Sequence, residues 1–378
     1  MLRRILLPAT LPLILLATAL PTLADAPPAT AEADARAFSR AVDRAIGFLQ
    51  TKGQALDGSY SAQAGPGVTA LVTTAILRHG RTPDDPLVAK SLKYLEGFVR
   101  EDGGIYQKDS VLRNYETCLA ILCLAEANRD GRYDKLIKGA DRFIKDLQWD
   151  EGEGHDRSSL NYGGAGYGRQ KRPDLSNTSF LIDALKTAGA GPDDPAMKQA
   201  LIFVSRCQNL ETEHNTTQFS AKNPDGGFYY TCAAGGSSMA GTTPNGGLRS
   251  YGSMTYAGLK SMIYAGVAPD DPRVKAALKW IQKFYGLDSN PGLGNAGLYY
   301  YYHTFAKALD ATGLDVVEDA QGVKHDWRRD LRAELIRRQR PDGSWINDAD
   351  RWMETDPNLV TGYALLALSY CRPAAEKR

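Results

Sequence analysis

Polar and apolar positions alternate along the chain in two kinds of segment. In the first kind, apolar residues recur at three- and four-residue steps between charges, as in residues 37–50, AFSRAVDRAIGFLQ. This spacing predicts an amphipathic helix that buries one face. The second kind is poor in charge and rich in Ala, Gly, Leu and Ile, as in residues 361–369, TGYALLALS. Such a segment predicts a helix that is buried on most sides.

A threonine begins each charge-poor segment, and the two kinds of segment alternate six times along the chain. The threonines are Thr69, Thr117, Thr178, Thr255, Thr304 and Thr361. A glycine-rich turn precedes each one, for example residues 57–60, DGSY, and residues 342–345, DGSW. Glycine adopts the backbone angles that end a helix. The sequence therefore predicts one helix–turn–helix unit repeated six times, with an inner helix starting near each threonine.

The helix pairs are predicted to stack into a closed ring. Each pair can bury its apolar faces only against neighbouring pairs. This favours two concentric layers with the apolar helices inside, and closure of the ring removes exposed ends. The predicted fold class is all-α, an (α/α)6 toroid or barrel of six helix-pair repeats, in a single domain over residues 27–378.

Two long insertions are predicted to contribute to a binding face. The spacing between successive threonines ranges from 48 to 77 residues. The excess length falls mainly in residues 149–172 and 210–249, which are rich in Gly, Asn and Ser. Insertions in repeat proteins commonly gather on one face, often the one that binds.

The sequence Pro-Asp-Asp-Pro precedes three amphipathic segments, at residues 83–86, 192–195 and 269–272. An aspartate pair is one way to hold a metal ion, but no third carboxylate follows. The recurrence at one structural point favours helix capping. The second Asp is then predicted to accept hydrogen bonds from the first turn, and the second Pro to take the first helical position.

The first 26 residues have the pattern of a secretory signal peptide. Arg3 and Arg4 precede an apolar stretch over residues 5–20, and residues 24–26, Ala-Asp-Ala, fit a cleavage site. An uncleaved anchor helix is the alternative. The chain is predicted to be exported to the periplasm or the extracellular space, and no later segment is apolar enough to span a bilayer.

Composition excludes several classes of partner. The formal net charge is +1, and no basic stripe with interleaved aromatic residues is present, so a nucleic-acid partner is not predicted. Motifs for phosphate loops, nucleophile elbows and helical zinc sites are absent, so no cofactor is predicted. Of the five cysteines, Cys207 and Cys232 are candidates for a disulfide in an oxidising compartment. The sequence does not decide whether they pair.

The repeat resembles those of squalene and oxidosqualene cyclases and of protein prenyltransferase β subunits. The outer helix that ends in Gln, the DGSW turn and the Thr-led inner helix carry the resemblance, most clearly in residues 339–345. It covers roughly residues 35 to 372. It implies an (α/α)6 toroid with a central apolar cavity and with catalytic residues at the starts of the inner helices.

The family's catalytic signatures are incomplete in this chain. The resemblance implies a proton-donating Asp where residues 174–178 read Asp-Leu-Ser-Asn-Thr, so Ser176 stands in its place. It also implies a zinc-binding histidine in the Tyr302-His303-Thr304 context, but the partner motif falls on residues 251–253, Tyr-Gly-Ser, which has neither of its ligands. Zinc needs three or four ligands, so no metal is predicted.

The residues just before the threonines give the candidate site. Glu116, Asn177 and His303 are the predicted catalytic residues, at an apolar cavity expected to open where Glu116 and His303 converge. Burial raises the pKa of a carboxyl and can keep Glu116 as an acid. The alternative for Glu116 is a structural role, bonded to helix N-termini or paired with Arg113. The predicted substrate-binding residues are Tyr115, Asp174, Tyr251, Tyr302 and Arg113.

Three functions stay open from the sequence. The first is a toroid that takes a hydrophobic, isoprenoid-like small molecule into its central cavity, with a terpene-cyclase-like reaction as its extension. The second is a non-catalytic toroid that binds a ligand or a protein. The third is an exported polysaccharide-processing enzyme, because the (α/α)6 barrel also hosts that chemistry and fold does not dictate function. The sequence does not predict the oligomeric state.

Overall fold

The structure is a computed structural model that describes residues 31–168 and 172–373. The predicted signal peptide, residues 1–26, lies outside the described residues. Twelve helices dominate the described part of the chain. None of the helices in these two ranges is long and apolar enough to cross a membrane.

The helices form two layers. The outer helices are α1 (Ala31–Phe48), α3 (Pro86–Glu96), α5 (Asp134–Lys145), α7 (Pro195–Arg206), α9 (Pro272–Lys283) and α11 (Trp327–Arg338). The inner helices are α2 (Pro66–Arg78), α4 (Arg113–Ala127), α6 (Leu175–Thr187), α8 (Gly252–Tyr264), α10 (Leu298–Thr312) and α12 (Pro357–Ser369). A short antiparallel hairpin, β1 (Val316–Glu318) and β2 (Lys324–Asp326), pairs Val316 with Asp326 between α10 and α11.

The inner helices close into a ring. Each inner helix packs on the next along the chain, and α12 packs back on α2. Almost every residue of α2 and of α8 is buried, as expected for helices enclosed on most sides. The predicted all-α (α/α)6 toroid is confirmed.

The repeated threonines attach the glycine turns to the inner helices. Five of the six hydroxyls accept a hydrogen bond from a backbone N–H in the preceding turn, at N–O distances of 2.9 to 3.1 Å. The donors are Tyr60, Ile105, Ala165, Phe228 and Trp345. Thr304 is the exception, because its hydroxyl donates to the carbonyls of Tyr300 and Tyr301 within its own helix.

This difference predicts unequal effects of removing the hydroxyl groups. In Thr361→Val the buried Trp345 N–H loses its acceptor, so we expect a loss of about 1–3 kcal/mol in the free energy of unfolding. Thr304→Val is the matched control and is expected to cost less than about 1 kcal/mol, because its carbonyl partners keep their helical bonds. Urea denaturation of both variants tests this, and equal losses would contradict it.

The glutamines at the ends of the outer helices connect neighbouring repeats. Gln339 Nε2 donates to Gly343 O in its own turn and to Ala41 O in α1, which closes the outer layer. Gln148 and Gln208 make the same pair of bonds in their own repeats. In the first repeat a π-helical turn at residues 49–53 extends α1, and Gln54 makes the contact to the next outer helix.

The glycine of the sixth turn is required by its close approach to α1. At Gly343 φ is +92°, and a Cβ would lie 2.3 Å from Arg44 O, so only glycine allows the turn to pack on α1.

The capping prediction for the three Pro-Asp-Asp-Pro segments is confirmed. Asp85, Asp194 and Asp271 each accept a hydrogen bond from the first turn of the following helix, and a proline begins that helix.

Candidate functional site

A cavity of about 330 Å³ lies at the N-terminal end of the inner ring. Eight of its lining side chains are aromatic: Tyr115, Tyr167, Phe180, Tyr230, Tyr251, Tyr300, Trp352 and Tyr363. The others are Ala64, Val68, Leu112, Ser176, Asn177, Ser253, Met254, Met353, Glu354 and Leu359. The volume is within the usual range for small-molecule sites, about 300–1,000 Å³.

The third residue of every inner helix lines this cavity. These six residues, which we call the rim ring, are Val68, Tyr115, Asn177, Met254, Tyr300 and Leu359. Because the six helices start at the same end of the barrel, equivalent positions converge on one space. Phe180 and Tyr363 reach the same space from about one helical turn deeper.

Loops complete the wall of the cavity. Tyr167 and Tyr230 come from the two long insertions that the sequence placed on a binding face. Residues 352–354 approach from the loop before α12. Trp352 and Met353 have φ of +60° and +63°, a region that costs energy for residues other than glycine and that is enriched at functional sites.

Contacts among the aromatic side chains fix much of the wall. Tyr115 meets Phe180 edge-on at a centroid distance of 5.0 Å, and Tyr300 meets Tyr363 in the same way at 5.9 Å. The Tyr300 hydroxyl lies 3.0 Å from Ser176 Oγ. Such edge-to-face pairs are favourable, and the ring faces attract positive charge.

Asp174 forms a polar group behind the rim ring. Its Oδ1 accepts from Asn177 N at 2.9 Å and its Oδ2 from Asn177 Nδ2 at 2.8 Å, so it caps α6 and orients the Asn177 amide. Tyr230 also donates to this carboxyl. Burial raises the pKa of Asp174 to about 6, although the hydrogen bonds from Asn177 oppose the shift.

The raised pKa of Asp174 predicts a pH-dependent stability. A carboxyl whose folded-state pKa lies above its unfolded value makes the protein more stable when protonated. The contribution of protonated Asp174 to the free energy of unfolding is therefore lost as pH rises from about 4 through 6. The difference in the free energy of unfolding between the wild type and Asp174→Asn is expected to change by about 3 kcal/mol between pH 4 and pH 6. Denaturant titrations of both proteins at several pH values measure it, and parallel profiles would rule out the shift.

Among the described residues, Glu354 is the one charged side chain in the lining of this cavity. Its Oε1 accepts from the backbone N–H groups of Tyr299 and Tyr300 at 3.0 and 2.8 Å, so it caps α10 from a distant loop. Its Oε2 accepts from Asn347 Nδ2 at 2.6 Å. Burial raises the pKa of Glu354 in spite of these donors.

The predicted site residues fall into two groups. Asn177, Tyr115 and Tyr251 line the cavity, and Asp174 lies directly behind Asn177. The structure thus brings four of the eight predicted residues together. Their assigned roles in binding and catalysis stay predictions.

Glu116, Tyr302 and Arg113 lie elsewhere. Glu116 is buried against the loop before α4, where its carboxylate accepts from Gln107 N at 3.0 Å and from Ser110 Oγ at 3.1 Å. The Tyr302 hydroxyl donates to a backbone carbonyl at residue 287. Arg113 is exposed and its Nε donates to a carbonyl at residue 110. The cavity therefore does not open between Glu116 and His303, because neither side chain is among its lining residues.

His303 is displaced because the fifth repeat has a different register. Thr304 is the seventh residue of α10, whereas the other threonines are the fourth or fifth residues of their helices. His303 consequently lies almost a turn below the rim ring, beside Lys260 and Lys307 in a separate small void. The two ammonium groups disfavour a cation there. No cluster of His, Cys, Asp or Glu in residues 31–168 and 172–373 is suited to a metal ion.

Several lining residues were missed from the sequence. Phe180 is four residues after Ser176, and Tyr363 is four after Leu359, so the helical repeat alone places each pair on one face. Glu354 and Trp352 have no such signal, since their position depends on the path of a loop. The five cysteines are all buried free thiols, including Cys207 and Cys232.

Comparison with known proteins agrees with this architecture. Residues 62–233 match the model of the squalene-hopene cyclase C-terminal domain family. A variant of the type II terpene cyclase MstE from Scytonema, without ligand, superposes with a TM-score of 0.53 at 14% identity, over 90% of this chain and 98% of that one. These matches show that the chain is similar to squalene cyclase-like repeat proteins.

A polysaccharide lyase and a glycoside hydrolase are also similar to the chain in fold. A polysaccharide lyase superposes with a TM-score of 0.54 at 12% identity, over 91% of this chain and 99% of the lyase. A family 76 glycoside hydrolase from a bovine Bacteroides thetaiotaomicron strain superposes with a TM-score of 0.52 at 10% identity, over 88% of this chain and 78% of the hydrolase. At such identities the likeness shows the fold alone. Among curated protein sequences, none matches the chain.

Proposed function

We propose that the protein binds a hydrophobic, isoprenoid-like small molecule in its central cavity. The observation that carries this proposal is the lining itself, in which the described residues supply eight aromatic side chains and one carboxylate. Burial of apolar surface drives the binding of such a ligand, and a few polar groups fix its orientation. Here Asn177, Ser176 and Ser253 supply polar atoms on one side of the cavity.

A terpene-cyclase-like reaction is the extended form of the proposal. The aromatic faces are suited to stabilise a carbocation. Protonation of an alkene needs a strong acid, and Ser176, in place of the family's proton donor, is not one. Asp174 lies directly behind Asn177 in the wall, and burial raises its pKa to about 6. We therefore propose binding as the function and assign no proton-transfer step.

A polysaccharide-processing enzyme is the second candidate, and the similarity to the lyase and the glycoside hydrolase favours it. Aromatic faces stack on sugar rings as well as on apolar ligands. However, a polysaccharide site is favoured by a cleft lined with charged side chains such as Arg113 and Arg249. Both are exposed and bonded to local carbonyls, and neither lines the cavity. The lining thus supports the first candidate more strongly. A non-catalytic toroid that binds the same ligand is the form of the first candidate without a terpene-cyclase-like reaction.

Titration calorimetry with two matched sets of compounds tests the proposal. The first set is geranylgeraniol and farnesol, and the second is neutral and acidic oligosaccharides. We expect saturable binding of the first set with a negative heat-capacity change, the mark of buried apolar surface. Saturable binding of an oligosaccharide together with no binding of either prenol would overturn the proposal in favour of the second candidate.

We also propose export of the protein to the periplasm or the extracellular space, on the strength of the sequence of residues 1–26. N-terminal sequencing of the protein from separated cell fractions tests this. The expected result is a mature chain that begins near Pro27 in the exported fraction. An intact Met1 in a membrane fraction would support the anchor alternative.

A further inference from the structure

Three inner helices bring a buried charge cluster together below the aromatic cavity. Asp183 of α6 pairs with Lys260 of α8 and Lys307 of α10, each at an N–O distance of 2.6 Å. The relative exposures of the three residues are 4%, 3% and 7%. His303 of α10 lies beside them and is also buried.

The cluster has an excess positive charge. One carboxylate faces two ammonium groups, and burial together with Lys307 lowers the pKa of His303 well below its usual value, so its ring is neutral. The nearby guanidinium of Arg78 is already paired with Glu126. In the described ranges no second carboxylate forms an ion pair with Lys260 or Lys307. A buried charge that is not compensated is costly.

Two groups in the cluster have hydrogen-bonding capacity to spare. Lys260 uses all three of its N–H bonds, on Asp183, Ser179 O and Ser179 Oγ. Lys307 donates to Asp183 alone among the described residues, which leaves two N–H bonds without an acceptor. The Nδ1 atom of His303 is buried without a partner in the described structure.

A small void joins these unused groups. Its volume is about 10 Å³, close to the space that one water molecule requires. Lys307, His303, Lys260 and Thr304 are among its lining residues. Phe180 and Tyr300 line both this void and the aromatic cavity, so they separate the two spaces.

We propose that this void is a binding site for a monatomic anion, which would be chloride in ordinary salt. An anion there accepts from Lys307 Nζ and from His303 in the tautomer with a proton on Nδ1. It also compensates the excess positive charge. A water molecule fits the same space and satisfies the same donors, but it leaves the charge uncompensated. The small volume excludes polyatomic anions such as sulfate and phosphate.

Anomalous diffraction tests the site directly. Crystals of the protein grown in chloride are transferred to bromide, and data are collected at the bromine absorption edge. We expect an anomalous peak between Lys307 Nζ and His303 Nδ1. A fully occupied density peak with no anomalous signal would identify water and overturn the proposal.

Thermal denaturation of the same protein gives an independent measurement. At constant ionic strength, replacement of gluconate by chloride is expected to raise the melting temperature saturably, by about 2 °C or more. In Lys307→Met the excess charge is gone and the chloride effect should disappear. Lys186→Met, an exposed lysine of α6, is the matched control and should keep it. Equal melting temperatures in both salts for the wild type would overturn the proposal even if Lys307→Met failed to fold.

Discussion

Replacement of Asp183 by asparagine is expected to destabilise the fold by about 3–5 kcal/mol, the usual cost of removing one partner from a buried ion pair. The variant leaves Lys260 and Lys307 with no carboxylate in the core of the barrel. Burial already lowers the pKa of Lys260 to about 8 against the attraction of Asp183. Without that attraction the lysines lose protons more readily, so the destabilisation should be smaller at pH 9 than at pH 7.

Denaturant titrations of the free energy of unfolding measure this effect. Asp193→Asn is the matched control, because its carboxylate also pairs with a lysine, Lys198, but is fully exposed. It is expected to change stability by less than about 0.5 kcal/mol. A triple variant with Asp183→Leu, Lys260→Met and Lys307→Met should recover much of the loss, since apolar replacements of a buried charge cluster are often neutral. A loss at Asp183 no larger than that of the control would show that the cluster contributes nothing.

The repeat made the fold predictable from the sequence. Each unit has the same order of outer helix, glycine turn and inner helix, so a weak pattern in one repeat is supported by the other five. The structure gives the threonine signal a physical reason, since the hydroxyl accepts the N–H of the glycine turn in five repeats. A side chain needed for that contact recurs wherever the turn recurs. The fold class was therefore predictable without a structure.

The candidate site was only partly predictable, because threonine is a marker of the turn and not of the rim. In the fifth repeat α10 starts directly after Gly297, and Tyr301 takes the place on the helix that threonine holds elsewhere. Counting back from Thr304 thus points to His303, whereas the rim residue is Tyr300. The register of one helix relative to its turn depends on three-dimensional packing, which the spacing of residues does not record.

Glu354 illustrates a second limit. Its carboxylate caps α10, a helix that begins 56 residues earlier in the chain. Capping patterns in sequence are local, so a cap supplied by a distant loop has no signature. The same holds for Trp352, whose backbone conformation is unusual for a residue other than glycine. The loop residues that line the cavity could be identified only from the three-dimensional structure.

The rim ring gives the cavity two unlike sides. Asn177 is its one amide, and Ser176, Ser253 and the carboxyl of Asp174 lie on the same side. The positions from repeats one and six are Val68 and Leu359, which are apolar. A ligand with one polar end is therefore expected to direct that end toward α6 and α8 and its apolar part toward Val68 of α2. This asymmetry makes the apolar side the place where a substitution can block binding without removing a hydrogen bond.

Val68→Trp is accordingly expected to weaken binding of the prenol ligand by about 100-fold or more, which corresponds to about 2.7 kcal/mol. The indole would occupy space in the cavity that the ligand needs. Because Val68 lines the cavity and not the packed core, the larger side chain should fit without the usual cost of overpacking. Val111→Trp, at a position that is 57% exposed in a loop outside the cavity, is the matched control and should bind as the wild type does. Titration calorimetry measures all three proteins, and thermal denaturation verifies that each is folded. Unchanged affinity in a folded Val68→Trp variant would place the ligand somewhere other than the central cavity.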